Sequence, residues 1–340
     1  MIQENISLKP YNTFGVEAKA AYFAEADSVE ALIQTLKDFE AKSDHQNLLL
    51  LGGGSNILFT KDFDGLVLKI NLKGITEEHT GENEVLVTAK ASENWHEFVM
   101  HCLEQNYGGL ENLSLIPGNV GTSPMQNIGA YGVEIKDVFH SCRALNMETL
   151  EIEVFDLKKC RFGYRDSFFK QEGKGRYIIL DVTFRLTTKD HKIHTEYGAI
   201  KSELEHLGNE DPTIHDISDA VIRIRKSKLP DPEMWGNAGS FFKNPVVSLE
   251  IYEPLKKQHP EIPGYSDGKN VKIPAGWLIE HAGWKGKEIG NVATHDKQAL
   301  VILNKTGAAS GREILDFSEQ IIASVKELFG VELEREVNII

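Results

Sequence analysis

A short apolar run stopped by glycines constrains the fold of this chain more than any other sequence feature. Residues 48–51 are all leucine, and Gly52-Gly53-Gly54-Ser55-Asn56 follows them directly. A run of this length is too short for a helix, so it predicts a buried β-strand. The glycines predict a tight turn at the end of that strand.

The glycine turn has two interpretations. Its backbone N–H groups, exposed after a buried strand, would bind a phosphate well. The same turn without any ligand is also common. Two nucleotide motifs are excluded, because no Gly-Lys-Ser/Thr follows the first glycine and because Ile57 stands where the G-x-G-x-x-G pattern requires glycine.

A second unusual segment spans residues 115–132. It is rich in glycine and proline, yet it also carries apolar residues that a solvent-exposed loop does not need. We therefore expect it to be buried against a group that its glycines allow the backbone to approach closely. Together the two segments favour a large phosphate-bearing cofactor. An ordered Ω-loop packed on its own side chains is the alternative.

The remaining chain alternates between helical and strand patterns. The predicted helices span residues 29–41, 94–106, 214–228, 249–257, 274–281 and 311–329. The predicted strands span residues 12–24, 48–51, 66–70, 85–91, 177–186, 299–304 and 331–340, with a hairpin at 143–155 that turns at 147–149. The polar stretch 191–212 predicts a domain boundary.

Size and charge limit the class of protein. A chain of 340 residues exceeds the usual single domain, so we expect two or three domains. The composition, 41% hydrophobic and 26% charged, is typical of a soluble globular protein. The net charge of −14 argues against a nucleic-acid partner or an anionic membrane. An anionic ligand would need a locally basic site.

Location and metal content are also constrained. No apolar run has the length of a membrane span, and residues 1–10 lack the basic start and hydrophobic middle of a signal peptide. Cys102, Cys142 and Cys160 form no C-x-x-C pair, so we expect buried or incidental thiols in a reducing compartment, the cytoplasm. The histidines lack H-E-x-x-H spacing, so no metal site is expected.

The stretch 237–245 is the strongest candidate for proton chemistry. Ser240 lies between a glycine and two phenylalanines, with Lys243 and Asn244 just behind it. This places a small hydroxyl in an apolar setting with polar groups in reach. A hydrolase nucleophile is unsupported, because Ala238 stands where G-x-S-x-G requires glycine. A helix cap or turn hydroxyl is the alternative for this serine.

Taken in order, these motifs resemble the family of UDP-N-acetylenolpyruvoylglucosamine reductases, flavoenzymes that complete UDP-N-acetylmuramate in bacterial cell-wall synthesis. Tyr197, in an extra loop, resembles the form of the family that keeps a substrate-clamping tyrosine loop. The matching stretches follow the family's order along nearly the whole chain: residues 12–16, 52–57, 116–132, 163–167, 228–232, 236–245, 298–301 and 333–337.

The resemblance implies an α+β protein. It combines a two-subdomain FAD-binding fold of the vanillyl-alcohol-oxidase (PCMH) type with a third α+β domain that binds the substrate. We expect subdomain 1 at residues 1–62, joined by a C-terminal strand at 331–340. Subdomain 2 would span residues 63–211 and the substrate-binding domain residues 212–330.

The resemblance also implies the reaction. NADPH reduces noncovalently bound FAD, and the enolpyruvyl group of UDP-N-acetylglucosamine enolpyruvate is then reduced to give UDP-N-acetylmuramate, a peptidoglycan precursor. Hydride passes from flavin N5 to the β-carbon, and a proton reaches the α-carbon. We expect a monomer that binds a small UDP-sugar, with no nucleic-acid partner and no membrane insertion. An oxidase on the same flavin fold and a non-catalytic nucleotide-binding module are the alternatives.

Three residues receive catalytic roles from the family match. Ser240 matches the proton donor, and Arg165 and Glu336 match the groups that stabilise the enolate. Arginine suits this role because it stays protonated and binds carboxylates bidentately, although Arg165 alone would equally suit a surface salt bridge. Glu336 would act as a protonated acid with a raised pKa. Glu334 is its nearest competitor.

The match also assigns binding residues, each of which could by itself have a surface role. Substrate contacts are assigned to Tyr164, Tyr197, Lys228, Asn244 and Gln298. FAD contacts are assigned to Gly52, Gly53, Gly54, Ser55, Asn56, Ile57, Gly118, Gly121, Thr122, Ser123, Gln126, Asn127, Gly129 and Arg225.

Overall fold

The computed structural model describes residues 1–42, 47–232 and 234–340. Helices and strands are interspersed along the chain, and most of the strands pair in antiparallel sheets. The arrangement is therefore α+β. The helices are α1 (Val29–Lys42), α2 (Trp95–Glu104), α3 (Leu157–Cys160), α4 (Gly198–Leu207), α5 (Ile214–Lys228), α6 (Leu249–Gln258), α7 (Ala275–His281) and α8 (Gly311–Phe329).

The strands are short except in two sheets. They are β1 (Gln3–Ser7), β2 (Lys19–Ala26), β3 (Leu48–Leu51), β4 (Ile57–Leu58), β5 (Phe63–Ile70), β6 (Ile75–His79), β7 (Glu84–Lys90), β8 (Gly129–Ala130), β9 (Val133–Glu134), β10 (Phe139–Asn146), β11 (Ile152–Asp156), β12 (Tyr177–Thr187), β13 (Val246–Ser248), β14 (Tyr265–Asp267), β15 (Asn270–Lys272), β16 (Glu288–Ile289), β17 (Val292–Thr294), β18 (Ile302–Asn304) and β19 (Asn338–Ile339).

Local sequence explains where several helices begin and end. The Asn94 side chain caps α2 by accepting a hydrogen bond from the Glu97 N–H at 3.1 Å. Ser310 and Glu313 form a reciprocal capping box at the start of α8. Gly330 ends α8 in the left-handed conformation, which costs a glycine little.

The chain divides into two compact units. The first comprises Met1–Glu4, Tyr22–Gly53 and Asp64–Ser227, and the second comprises Asn5–Ala21, Gly54–Phe63 and Lys228–Ile340. The three-domain division expected from the sequence stays a prediction.

The first unit is built around a five-stranded antiparallel sheet of order β11-β10-β12-β7-β6. Helix α2 packs on one face of it, where Trp95 and Phe98 lie edge to face or tilted against Phe184 of β12. The predicted hairpin is confirmed, because β10 and β11 pair on either side of residues 147–151. The aromatic side chains of Trp95, Phe98 and Phe184 bury extensive apolar surface and fix α2 on the sheet.

A second sheet, of order β1-β2-β5-β3, ends in the leucine run. Strand β3 pairs in parallel with β5, with Leu48 opposite Leu66. The predicted strand at residues 48–51 is therefore confirmed. Only Leu51 is fully buried, because β3 lies at the edge of its sheet. Leu32 of α1 and Leu66 belong to the same buried cluster.

The second unit carries three small sheets, of orders β13-β15-β14, β16-β17-β18 and β19-β4. Strand β19 pairs in parallel with β4, Asn338 opposite Ile57. Helix α8 packs on β17 and β18, and its Phe317 ring lies 5.2 Å from the Trp284 ring in an edge-to-face arrangement. Among the described residues, no helix has the length and apolarity to cross a membrane.

Three expectations about secondary structure are corrected. The final strand covers only Asn338–Ile339 rather than residues 331–340, because β4, its partner, is two residues long. The strand expected at 299–304 is limited to Ile302–Asn304. The polar stretch 191–212 contains helix α4, whose Ile200 and Leu204 are buried against Ile217 and Val221 of α5. Tertiary packing therefore outweighs the polar composition there.

Candidate active site

The two glycine segments touch in the first unit. A Cβ atom added at Gly53 would lie 2.8 Å from Asn119 Oδ1 and 3.5 Å from the Gly118 Cα. A Cβ at Gly52 would lie 3.1 Å from Thr122 Cγ2. The close approach expected of these segments is thus realised between the segments themselves, and a side chain at Gly53 would require the Asn119 side chain to move.

The two segments differ in their backbone hydrogen bonds. Within the described ranges, no protein acceptor is present for the backbone N–H groups of residues 52–56. In the second segment, by contrast, the Gly121 N–H donates to Ala91 O at 2.8 Å and the Ser123 N–H to Val120 O at 3.0 Å. The first segment therefore keeps the donors that a phosphate group needs, while several N–H groups of the second segment are already bonded within the protein.

The rest of the first segment belongs to the second unit. Gly54 has a φ of +65° and lies so close to the Tyr11 carbonyl that an added Cβ would be 2.0 Å from its oxygen. The Asn56 side chain donates to the Glu336 carbonyl at 3.3 Å. Ile57 begins β4 and pairs with β19. The segment is thereby joined to the C-terminal residues of the chain.

The second segment also holds the turn that carries Arg165. Asn127, in the left-handed conformation at φ +43°, donates through Nδ2 to Gly163 O at 3.0 Å. Ser167 Oγ donates to Met125 O at 2.7 Å. Arg165, at φ +53°, is partly buried and donates through Nη2 to Gly129 O. The structure thus brings Arg165 together with the predicted cofactor segment.

In the first unit, Arg225 is partly buried beside Tyr131 and Leu115. Burial lowers the pKa of Arg225, and Tyr131 opposes this shift through a hydrogen bond. Arg225 Nε donates to Leu115 O at 3.2 Å. Tyr197, 51% exposed at the start of α4, lies edge to face with Tyr131 at 5.3 Å. No role is predicted for Tyr131 from its sequence pattern, although it lies within the second glycine segment.

Aromatic and cationic groups also meet in the Arg165 turn. Tyr164 is exposed, and the Arg165 guanidinium lies 5.4 Å from the centre of its ring. Among the predicted cofactor residues, Gly118 has a φ of +112°, and Gln126 ends a short 3-10 helix before Asn127.

Ser240 lies in the second unit on a backbone fixed from both sides. It forms an isolated bridge with Val301, and the next residue, Phe241, donates its N–H to Leu300 O at 2.8 Å. Asn237 Oδ1 accepts from the Gly239 N–H at 3.0 Å. The serine is exposed, and the part of the chain that the structure describes contains no hydrogen-bond partner for its hydroxyl. It caps no helix.

Glu336 lies beside the same stretch. Its N–H donates to Phe241 O at 2.9 Å, and Phe242 bridges to Arg335. Glu334, the competing carboxylate, forms an ion pair with Lys243 and is 72% exposed. The structure therefore gives the two glutamates different surroundings, with Glu336 the more buried of the two.

The chain is similar to known reductases along its whole length. A family model described as the C-terminal domain of UDP-N-acetylenolpyruvoylglucosamine reductase matches residues 231–340, and a model of an FAD binding domain matches residues 20–152. The chain is 51% identical to the UDP-N-acetylenolpyruvoylglucosamine reductase of Flavobacterium johnsoniae over 100% of this chain and 99% of that protein. It belongs to the UDP-N-acetylenolpyruvoylglucosamine reductase family.

Other members of the reductase family are also similar to this chain along nearly its whole length. The reductase of Pseudomonas savastanoi pv. phaseolicola is 50% identical over 99% of this chain and 98% of its own length. The crystal structure of the Thermus caldophilus reductase superposes with a TM-score of 0.67 at 22% identity, covering 100% of this chain and 99% of that one. The family and the α+β fold expected from the sequence are confirmed, and the chain is an FAD-dependent oxidoreductase.

The remaining predicted residues of this family member lie in its second unit. Asn244 Oδ1 accepts from the Ala275 N–H at 2.9 Å, at the start of α7. Gln298 O accepts from the Val301 N–H at 3.0 Å, so it belongs to the turn that pairs with Ser240. Lys228 is exposed at the end of α5. Asn244 thus lies near the end of the Ser240 stretch, and Gln298 lies in the turn that pairs with Ser240.

Proposed function

We propose that this chain reduces the enolpyruvyl group of UDP-N-acetylglucosamine enolpyruvate to give UDP-N-acetylmuramate, using NADPH and bound FAD. The observation that carries the proposal is the contact of Gly53 with Gly118 and Asn119 inside the region matched by the FAD-binding model. Backbone that passes close to Gly53, together with N–H groups at Gly52 and Gly53 that have no acceptor among the described residues, suits a bound diphosphate.

The proposed FAD site uses backbone more than side chains. Gly52 and Gly53 supply N–H donors, and Gly54, Ser55, Asn56, Ile57, Gly118, Gly121, Thr122 and Ser123 are further predicted contacts. Gln126, Asn127, Gly129 and Arg225 complete the predicted set. These residues would hold FAD, whose chemistry would be the transfer of hydride from NADPH to the β-carbon of the enolpyruvyl group. We propose noncovalent binding, as the sequence predicts.

Ser240 is the proposed proton donor to the α-carbon. Its hydroxyl is exposed, while Phe241 and Phe242 behind it are fully buried and fix the backbone. Hydride addition at the β-carbon leaves an enolate, which is a strong enough base to take the serine proton. A new C–H bond then forms at the α-carbon as the O–H bond breaks, and solvent restores the proton to the serine.

Arg165 and Glu336 are the proposed stabilising groups. The negative charge of the enolate spreads into the substrate carboxylate, which a guanidinium binds well. Glu336 is preferred over Glu334, because Glu334 is already paired with Lys243 in an exposed position. A carboxylate neutralised by a neighbouring ammonium group is a poor candidate for a protonated acid.

Five side chains are proposed to contact the substrate. Lys228 supplies positive charge for the diphosphate, so an acidic protein can still bind an anionic sugar nucleotide. Tyr197 is proposed to stack or hydrogen-bond there, since it is exposed and supported at its edge by Tyr131. The remaining contacts are Tyr164, Asn244 and Gln298.

We further propose that the enzyme is a monomer in the cytoplasm. All three cysteines are buried, and none of them forms a disulfide bond. This suits a reducing compartment. Light scattering on the purified protein tests the oligomeric state.

An absorbance spectrum followed by anaerobic additions tests the reaction. We expect purified protein to show bound flavin, NADPH to bleach it, and the enolpyruvyl UDP-sugar to restore the oxidised spectrum. Colourless protein that consumes no NADPH would instead indicate a nucleotide-binding module. Flavin that reoxidises only with air and ignores the UDP-sugar would indicate an oxidase.

A further inference from the structure

Hydrogen bonds join the start of α2 to the second glycine segment and to the residues just before it. The Trp95 ring N–H donates to Leu113 O at 2.9 Å, and the Trp95 backbone N–H donates to Gly118 O at 3.0 Å. Between these two points, His96 Nδ1 accepts a hydrogen bond from the Leu115 N–H at 3.1 Å. Three bonds from two adjacent residues therefore set the path of the chain into the glycine segment.

Leu115 lies in a conformation that leucine rarely adopts. Its φ is +60°, in the left-handed region that favours glycine. Its N–H is held by His96, and its carbonyl accepts from Arg225 Nε at 3.2 Å. The peptide groups on both sides of this strained residue are thus held by side chains from α2 and α5, and such backbone persists only where its surroundings enforce it.

The bond from Leu115 requires a neutral His96. An imidazole accepts at Nδ1 only while its proton is on Nε2, and the imidazolium ion has no acceptor. Burial and the positive charge of Lys226 lower the pKa of His96 below its ordinary value of 6.5. Glu97 opposes this shift and Arg225 adds to it. Burial and these two cations of α5 keep the acceptor present at neutral pH.

We propose that His96 is a positioning residue for FAD, acting through Leu115. Its neutral imidazole holds Leu115 in the left-handed conformation and so keeps residues 116–119 in the path that meets Gly53. The inference rests on the proposed binding of FAD by the two glycine segments. Protonation of His96 removes the acceptor, so the affinity for FAD falls as the pH drops through the lowered pKa of His96.

The sign of this pH effect separates positioning from direct contact. The FAD diphosphate is anionic, so a histidine that touched it would bind it more tightly when protonated. A histidine that acts through Leu115 has the opposite effect, because protonation breaks the bond that shapes the segment. The direction of the change therefore identifies the role.

Titration of flavin-free protein with FAD, followed by quenching of flavin fluorescence between about pH 5 and pH 8, tests the proposal. We expect wild-type affinity to fall about fivefold or more over the acidic part of this range. H96N keeps an acceptor at the same position but has no titrating group there. Its affinity for FAD should therefore stay close to the neutral-pH wild-type value across the whole range. H96L removes the acceptor and weakens binding about tenfold at every pH.

His101→Gln is the matched control, because His101 lies on the same helix but faces Glu77. It should follow the wild-type pH profile. A second measurement compares L115G with H96L/L115G: glycine adopts the left-handed conformation unaided, so the loss from H96L should be much smaller in that background.

Several results would overturn the inference. These are wild-type affinity in H96L, an unchanged pH profile in H96N, tighter FAD binding on acidification that depends on His96, and an equal H96L loss in both backgrounds. If wild-type protein binds no FAD at any pH, the proposed function itself fails. The two failures are therefore distinguishable.

Discussion

The backbone N–H of Glu336 donates a 2.9 Å hydrogen bond to the carbonyl of Phe241, the residue that follows Ser240. The Lys243 N–H continues the pairing by donating to Glu334 O at 2.9 Å. These bonds join two parts of the second unit that are far apart in the sequence. The backbone positions of the proposed proton donor and of one proposed stabilising group are therefore set by the same short pairing.

We expect S240A to separate the two half-reactions. Reduction of bound FAD by NADPH should continue at close to the wild-type rate, because the serine takes no part in it. Reduction of the enolpyruvyl substrate should slow by about 100-fold or more, because the proton donor is lost. Anaerobic stopped-flow absorbance measures each step. Ser248→Ala, which also lies in the second unit, is the control, and an equal loss in both half-reactions would remove Ser240 from proton transfer.

The two C-terminal glutamates should respond differently to substitution. E336A should slow the enolpyruvyl half-reaction by about 100-fold, and E336Q should slow it less, because an amide can still donate a hydrogen bond. E334Q only disrupts an exposed pair with Lys243 and should leave the rate within about twofold. Single-turnover rates provide the comparison. A larger defect in E334Q than in E336A would reverse the assignment.

Gly53→Ala should weaken FAD binding. The added Cβ would lie 2.8 Å from Asn119 Oδ1, so the Asn119 side chain must move away from its position between the two glycine segments. We expect at least about a tenfold loss of FAD affinity, measured by flavin titration of the flavin-free protein. Gly198→Ala is the matched control, since nothing lies within 4 Å of its added Cβ. Unchanged affinity in G53A would show that the contact is not needed for the cofactor.

Asp181 should contribute to stability in a pH-dependent way. Burial alone would raise the pKa of this carboxyl, but hydrogen bonds from Arg143 and Lys90 outweigh burial and hold the pKa below its usual 3.8. Its side chain is 1% exposed, and Lys90 Nζ lies 2.9 Å from Oδ2. The stabilisation is therefore present above the unfolded-state pKa and is lost as the pH falls through the folded-state value.

D181N should lower the free energy of unfolding by about 2 kcal/mol at neutral pH, a figure that allows for the partial exposure of both cations. The difference from wild type should shrink as the pH is lowered toward about 3. Urea denaturation at several pH values measures both effects. Glu172→Gln, which disrupts the exposed pair with Arg161, should change stability by less than about 0.5 kcal/mol. A pH-independent effect of D181N would contradict the charge-based account.

Several helix boundaries could be predicted because their signals are local. Helix α5 ends at Lys228, just before Leu229-Pro230, since proline disfavours helical backbone in the residue before it. Helix α8 spans the predicted residues 311–329, and Gly330 terminates it. Such signals act between residues a few positions apart, so they can be identified without knowledge of the fold.

Other elements depend on distant partners. Helix α4 was missed because its sequence is polar, and the burial of Ile200 and Leu204 against α5 stabilises it. The C-terminal strand was predicted too long, because its extent is set by the two residues of β4. Local propensity carries no information about either partner, since each lies in another part of the chain.

The sequence by itself determined the family, the order of the glycine segments and the residue types that suit hydride and proton chemistry. Only the tertiary structure decided that Gly53 meets Asn119, that Glu334 pairs with Lys243, and that His96 holds Leu115. These contacts join residues well separated along the chain. Packing and hydrogen bonding of the folded backbone set them, and no periodicity or local motif encodes such contacts.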